Sequence, residues 1–200
     1  MKENKWSVRN LCIVGILAAM SYVCFAFLQI KIPIGGDATS IHLGNMVPVL
    51  GALLFGGLYG GLGGAIGMTI GDLFDPIYIL YAPKTFFLKL CIGLVTGIVA
   101  HKLCKLSAQT DRRKILRGAI LSAAAGLFFN VVFDPLVGYY YKLIILGKSA
   151  ADLTLAWSIG ATSINAITSG VVAVLLYMAL RPALEKAGLL KQKSSNKEEQ

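Results

Sequence analysis

Hydrophobic residues along the chain are grouped into six stretches, which shorter polar, basic or aromatic segments separate. Because a helix needs about 20 apolar residues to cross a bilayer, this pattern predicts an all-α integral membrane protein with six transmembrane helices. The predicted helices cover residues 10–29, 43–57, 58–73, 84–104, 115–138 and 155–180, and the second and third are short. A polar loop is predicted at Lys31–Ser40, and an aromatic, amphipathic segment at Tyr139–Asp152.

The composition excludes a soluble domain. Only 14% of the residues are charged and 56% are hydrophobic, and the mean hydropathy is +0.70. Soluble domains carry about 25% charged residues, and a small soluble protein lacks the interior volume to bury so much apolar side chain. We therefore expect a single multi-pass membrane domain over residues 1–190. The polar segment 191–200 has no aromatic residue and is predicted to be a disordered cytoplasmic tail.

The distribution of charge predicts how the helices are oriented. The net charge is +9, and fourteen of the 19 Lys and Arg residues lie in three short segments, residues 1–9, 102–117 and 181–200. A basic chain raises nucleic acid as a partner, but no nucleic-acid-binding motif accompanies these segments. Cytoplasmic segments of membrane proteins are enriched in Lys and Arg. The pattern therefore indicates cytoplasmic N and C termini and a lipid bilayer, not nucleic acid, as the partner.

Glycine recurs at intervals of four in the second and third apolar stretches. The two series are Gly56, Gly60 and Gly64, and Gly63, Gly67 and Gly71. Small residues on one helix face let neighbouring backbones approach closely, so we expect two tightly packed faces. A phosphate-binding loop is the alternative, but the chain contains no G-x-x-x-x-G-K-[ST] sequence.

Ionisable and amide side chains inside apolar helices are costly in a bilayer and are therefore candidate functional residues. In the six-helix arrangement they lie in the outer halves of their helices, next to polar and aromatic loop residues. The substrate-binding candidates are Asp72, Lys89, Asn130, Asp134, Trp157 and Asn165 in the helices, and His42, Asn45, Tyr78 and Tyr139 in the loops. Together they predict an outward-facing pocket for a small polar ring compound. An amide such as that of Asn165 otherwise serves to bond helices together.

Structural roles compete with substrate binding at several of these positions. Asp72 and Lys89 also suit an ion pair, and Asp134, which precedes a proline, suits a cap at the end of its helix. Trp157 and the tyrosines at 139–141 suit an aromatic belt at the membrane surface.

The chain has no recognisable catalytic set. It contains no H-E-x-x-H or G-x-S-x-G sequence, and its two histidines, His42 and His101, fall on opposite sides of the predicted topology. The four cysteines form no C-x-x-C pair and are interpreted as reduced thiols. We expect neither an enzyme nor a cofactor or metal site.

A set of motifs connects the second, third and fourth apolar stretches. H-L-G-[DN] stands at residues 42–45, Asp72-Leu73 ends the third stretch, and A-P-x-T-x-x-x-K-x-x-x-G stands at residues 82–93. With the two glycine-rich stretches, this pattern resembles the substrate-binding S components of energy-coupling factor (ECF) vitamin transporters. The similarity is greatest to the branch assigned to hydroxymethylpyrimidine, pyridoxine or riboflavin.

The resemblance implies a bacterial plasma-membrane protein that binds a small water-soluble vitamin with high affinity and delivers it inward. A pyridoxine-like or hydroxymethylpyrimidine-like compound is the first expectation, and riboflavin is another. The implied protein partners are a transmembrane coupling protein (the T component) and two cytoplasmic ATPase subunits. The family carries an A-x-x-x-A face on its first helix for the coupling protein, and here the candidates are Gly15, Ala18 and Ala19.

Two other functions compete with this interpretation. A stand-alone small secondary transporter is the main alternative, although the chain has no recognisable inverted repeat or pair of broken helices. A membrane enzyme or assembly factor is disfavoured by the missing catalytic set.

Overall fold

The computed structural model describes residues 7–34, 37–147 and 151–190, so the predicted tail lies outside the described residues. The main elements in chain order are α1 (Val8–Ala26), β1 (Gln29–Ile34), β2 (Asp37–His42), α2 (Met46–Phe55), α3 (Gly57–Leu73), α4 (Ala82–Ile98), α5 (Arg112–Tyr140) and α6 (Ala151–Lys186). Short turns of 3-10 or π helix lie at Ile79–Tyr81, Val99–Leu103, Leu106–Ala108 and Tyr141–Ile145. Each of the six predicted helices is confirmed, with shifted ends.

Four helical segments are long and apolar enough to cross a membrane. They are Val8–Ala26, Ile79–Leu103, Arg112–Ile145 and Thr154–Lys186. The all-α membrane class is thus confirmed. α2 has 10 residues and α3 has 17, which correspond to about 15 and 25 Å against a hydrocarbon core of about 30 Å. Six full crossings therefore stay a prediction.

Consecutive helices run in alternating directions, so the described chain begins and ends at the same end of the bundle. The Arg9 guanidinium in α1 donates a hydrogen bond of 2.5 Å to the Leu189 carbonyl after α6. Arg181 in α6 donates to the carbonyls of Leu106 and Gln109 in the α4–α5 connection at 3.0 and 2.9 Å. We call this the basic end, because the described parts of the three basic segments meet there, and the opposite end the hairpin end.

The segment predicted as a polar loop, Lys31–Ser40, belongs instead to a β-hairpin. β1 pairs with β2 in antiparallel register, with Gln29 opposite His42. The sequence signal was the isoleucine at every second position of β1, a period of two that is typical of a strand. Pro33 is tolerated because a two-stranded sheet has only edge strands.

The two glycine faces predicted on α3 are confirmed by the helix packing. Gly60 and Gly64 face α2, whereas Gly63, Gly67 and Gly71 face α1. A Cβ atom on Gly60 would lie 2.1 Å from the Ala52 backbone nitrogen, and one on Gly67 would lie 2.1 Å from the Ala18 carbonyl oxygen. Since real Cβ contacts are far longer, the backbones pass too closely here for any larger residue.

A third glycine contact joins α3 to α4 and was not predicted. Gly61 lies against Gly93, and Gly57 lies against Gly97. Gly56, the first member of the predicted series, has a different role. It separates α2 from α3, because its φ of +102° interrupts the helical backbone. This conformation favours glycine.

Candidate functional site

A cavity of about 110 Å³ lies at the hairpin end of the bundle, lined mainly by β2 and by the adjoining ends of α3, α4, α5 and α6. Seven of the ten predicted substrate-binding residues line it. They are His42, Asp72, Tyr78, Lys89, Asp134, Tyr139 and Asn165. The fold brings them together because α3 and α5 end where α4 and α6 begin.

Three predicted residues are not part of the cavity lining. Trp157 is 53% exposed on the surface of α6, so the prediction that it lines the pocket is corrected; its position agrees with the alternative of an aromatic belt. Asn45 and Asn130 are buried and are not lining residues of the cavity. Asn130 is hydrogen-bonded to Lys89, which is a lining residue.

Asp134 is the centre of a charged network beside the cavity. Its two oxygens accept hydrogen bonds from Lys84 at 2.5 Å and from Lys89 at 3.1 Å. Lys89 also donates to the Asn130 side-chain oxygen at 3.1 Å. One carboxylate therefore serves two ammonium groups. The alternative of a helix cap at Asp134 is wrong, since α5 continues through the following proline to Tyr140.

Asp72 is not the ion-pair partner of Lys89, because Lys89 is paired with Asp134. Asp72 lies in the last turn of α3 and is 2% exposed. The Thr85 side chain lies in the same cavity lining. The Oδ2 atom of Asp72 is buried and has no hydrogen-bond partner within the described part of the chain.

His42, the last residue of β2, is a neutral imidazole. Burial, and then the charge of Lys89, lower the pKa of His42 to about 3, against an opposing effect of Asp134. The Gly44 backbone N–H donates to Nδ1 at 3.1 Å, so the ring proton lies on Nε2. The ring packs edge-on against Phe25, with centroids 5.0 Å apart.

Asn165 attaches the hairpin to α6. Its side-chain oxygen accepts a hydrogen bond of 2.9 Å from the His42 backbone N–H, and its side-chain nitrogen donates one of 2.9 Å to the Ser40 carbonyl. Both ends of the amide are thus used by β2, the strand that covers the cavity.

A salt bridge between Lys31 on β1 and Asp75 in the loop after α3 is a second attachment of the hairpin. Burial raises the pKa of Asp75, but hydrogen bonds from Lys31 and from the Ile77 backbone N–H outweigh it and hold that pKa below its ordinary value. Because the Lys31 side chain is 40% exposed, we expect this pair to contribute less than the buried Asn165 contacts.

The sequence reasoning missed two cavity-lining lysines, Lys84 and Lys142. Lys142 is buried in the turn after α5, where it donates to the Thr154 hydroxyl at 3.0 Å and lies 5.7 Å from the centroid of the Tyr81 ring. Both lysines adjoin apolar segments, so the rule that singled out Lys89 would have found them. Further hydroxyl groups in the lining come from Thr85, Ser158 and Thr162.

A second, larger cavity of about 660 Å³ lies at the basic end. Its polar groups are largely satisfied by the protein itself. Arg181 donates to Glu185, to the Tyr177 hydroxyl and to two backbone carbonyls, and His101 is hydrogen-bonded on both ring nitrogens. The hairpin-end cavity, with its unpartnered Asp72 oxygen, is therefore the better candidate for a ligand site.

The three residues predicted to contact a coupling protein do not share one face of α1. Gly15 and Ala19 are exposed. Ala18 is buried and its carbonyl packs on Gly67 of α3. Since Ala18 has no free surface for a partner, only Gly15 and Ala19 stay candidates.

Comparison with known proteins gives one family. The sequence model of one protein family, described as the ECF-type riboflavin transporter, S component, matches residues 5–182 of this chain. Among curated proteins, none matches the chain significantly. This family is a transporter subunit, which confirms both the resemblance and the prediction that the chain is not an enzyme. Because the match runs from before α1 to the last turns of α6 and includes every element around the cavity, the chain belongs to the S component family of ECF-type riboflavin transporters.

Proposed function

We propose that the chain binds a small, single-ring, water-soluble vitamin or vitamin precursor in the hairpin-end cavity and releases it to the cytoplasm through an ATPase-driven coupling module. The observation that carries this proposal is the cavity itself. It combines buried carboxylate, ammonium, imidazole and hydroxyl groups with aromatic rings beneath a cover formed by the hairpin. Such a mixture suits a compact heterocycle with polar substituents.

The size of the cavity favours a single ring. At about 110 Å³ it is smaller than the roughly 300 Å³ at which drug-sized pockets begin. Pyridoxine and a hydroxymethyl-aminopyrimidine each have one ring, whereas riboflavin has three fused rings and a ribityl chain. We therefore expect riboflavin to fit this cavity less well than a single-ring compound.

Ligand identity is tested on the purified protein. A native mass spectrum should show a retained small molecule, and titration calorimetry with pyridoxine, the aminopyrimidine alcohol and riboflavin should give the tightest binding for one of the two single-ring compounds. Tightest binding of riboflavin would refute the size argument. Failure of all three to bind would refute the proposed vitamin site.

The orientation proposed for the bundle places the hairpin end outside and the basic end in the cytoplasm. Single cysteines at Ser107 and Ser194 in a cysteine-free background should react with an impermeant maleimide only after the cells are opened. Labelling in intact cells at either position would contradict this orientation.

The partner proposal concerns α1. Gly15 and Ala19 form an exposed strip of small residues, against which another helix can pack closely. Ala19→Trp should prevent co-purification of the coupling protein and the ATPases and abolish uptake, while ligand binding stays normal. Ala124 is exposed on α5, so Ala124→Trp is the matched control.

The same experiment separates the proposal from a stand-alone secondary transporter. A secondary transporter would purify without ATPase subunits, and its uptake would not depend on them. Normal assembly of the Ala19→Trp variant would place the coupling surface elsewhere.

A further inference from the structure

One carboxylate oxygen of Asp72 lacks a hydrogen-bond partner within the described residues. Asp72 is 2% exposed and lines the cavity, and its Oδ2 atom has no hydrogen bond within the described residues. Buried polar atoms are nearly always hydrogen-bonded, and a buried acceptor without a donor costs free energy. Because Asp72 lines the cavity, a ligand bound there can supply the missing donor.

The nearby cations do not fill this role. Lys84 and Lys89 both donate to Asp134, which lies on α5, whereas Asp72 lies on α3. Within the described residues no salt bridge to Asp72 is present, and its Oδ2 atom has no hydrogen-bond donor. Asp134 thus neutralises the lysines, and Asp72 is left as an acceptor for something else.

Aromatic rings in the same cavity lining restrict the kind of ligand that carries the donor. The lining includes Phe25, Tyr78 and Tyr81, and the Tyr78 ring lies between the other two, with centroid distances of 6.5 and 6.4 Å. Rings of this kind favour a flat ligand that contacts them by its face or edge.

From these observations we infer that Asp72 is the specificity-determining residue of the pocket, whose Oδ2 accepts a hydrogen bond from an N–H group of a flat nitrogen heterocycle. The donor is either a protonated pyridine nitrogen or the amino group of an aminopyrimidine. Both present the same chemistry to a carboxylate, a charge-assisted N–H···O bond. This inference rests on the proposed vitamin site and adds that the site recognises an N–H donor of the ligand.

The test compares each ligand with an analogue that lacks the donor. Pyridoxine is paired with its benzene analogue, in which C–H replaces the ring nitrogen, and the aminopyrimidine alcohol with an analogue in which methyl replaces the amino group. Calorimetry on the wild type and on Asp72→Asn gives four affinities per pair. For the pair that carries the true ligand, Asp72→Asn should weaken binding about 10- to 100-fold. It should change the affinity for the analogue little.

Two controls separate recognition from structure. Without ligand, Asp72→Asn should melt at or above the wild-type temperature, because it replaces a buried carboxyl group that has no ionic partner among the described residues. Asp75→Asn changes a neighbouring carboxylate that belongs to the hairpin salt bridge, and it should leave the preference for ligand over analogue unchanged.

The possible outcomes are distinguishable. Binding of a single-ring vitamin by the wild type with equal affinity in Asp72→Asn would overturn the inference and leave the proposed function standing. An equal loss for ligand and analogue, with a lowered melting temperature, would also overturn it. Tight binding of riboflavin alone would overturn the assigned ligand class. No binding of any probe by the wild type would overturn the proposed function and the inference together.

Discussion

Asp134→Asn tests the charged network most directly, because the substitution keeps the size of the side chain and removes its charge. In the protein, Asp134 accepts hydrogen bonds from Lys84 at 2.5 Å and from Lys89 at 3.1 Å. The side chain of Lys89 is only 5% exposed, so it cannot turn fully into water when its ionic partner is lost. Asn130 would then be its remaining acceptor.

The magnitude follows from the burial of the pair. Breaking a buried ion pair by removing one partner costs about 3–5 kcal/mol. The lower part of that range applies here, because Lys84 and Asp134 are 14% and 19% exposed. A loss of about 3 kcal/mol lowers the melting temperature of a chain this long by about 6–12 °C. Lys89→Met should cost much less, since Asp134 keeps Lys84 as its partner.

Thermal unfolding of the detergent-purified variants, without ligand and at one scan rate, measures this difference. Asp111→Asn is the matched control. Asp111 is an exposed N-cap of α5 that accepts from the Arg113 backbone N–H, and Asn is as good an N-cap as Asp. An Asp134→Asn variant that melts with the control, or no lower than Lys89→Met, would refute the shared-carboxylate arrangement.

Two further predictions concern packing and pH. Gly67→Ala should destabilise the protein by about 1–3 kcal/mol, since the added Cβ would lie 2.1 Å from the Ala18 carbonyl oxygen. Gly160→Ala is the control and should be neutral or stabilising, because nothing lies within 4 Å of an added Cβ there. Equal melting temperatures of the two variants would contradict the close helix contact. Because the folded protein holds the pKa of His42 near 3 while the unfolded chain titrates near 6.5, the unfolded state binds the proton first, and stability should fall as the pH drops below 6.5. Melting curves against pH should show a weaker slope in His42→Asn than in the wild type, and an unchanged slope in this variant would show that other groups cause it.

The pattern of residues was sufficient for the helices and for much of their packing. In a bilayer, backbone groups must be satisfied within the segment, so long apolar runs become helices whatever surrounds them. A spacing of four places Gly63, Gly67 and Gly71 on one helix face, and small residues on a face permit close approach. These features depend on local sequence alone, which explains why they were predictable.

The candidate site was predictable as a set of residues but not as a set of contacts. Polar side chains in apolar helices are few because they are costly, and this rule found four residues of the cavity lining, Asp72, Lys89, Asp134 and Asn165. It did not reveal that Lys89 pairs with Asp134 and that Asp72 has no ionic partner in the described part of the chain. That choice depends on which helices are neighbours at that depth and on how each is rotated.

Helix rotation and long-range contacts also decided the remaining differences. Ala18 and Ala19 are adjacent in sequence, yet one is buried against α3 and the other is exposed, because successive residues of a helix point about 100° apart. Asn165 binds a strand more than 120 residues earlier in the chain. The sequence alone determines that these groups are polar or small and which element carries each, whereas only the tertiary structure decides what each one faces, because that depends on how distant segments are oriented against one another.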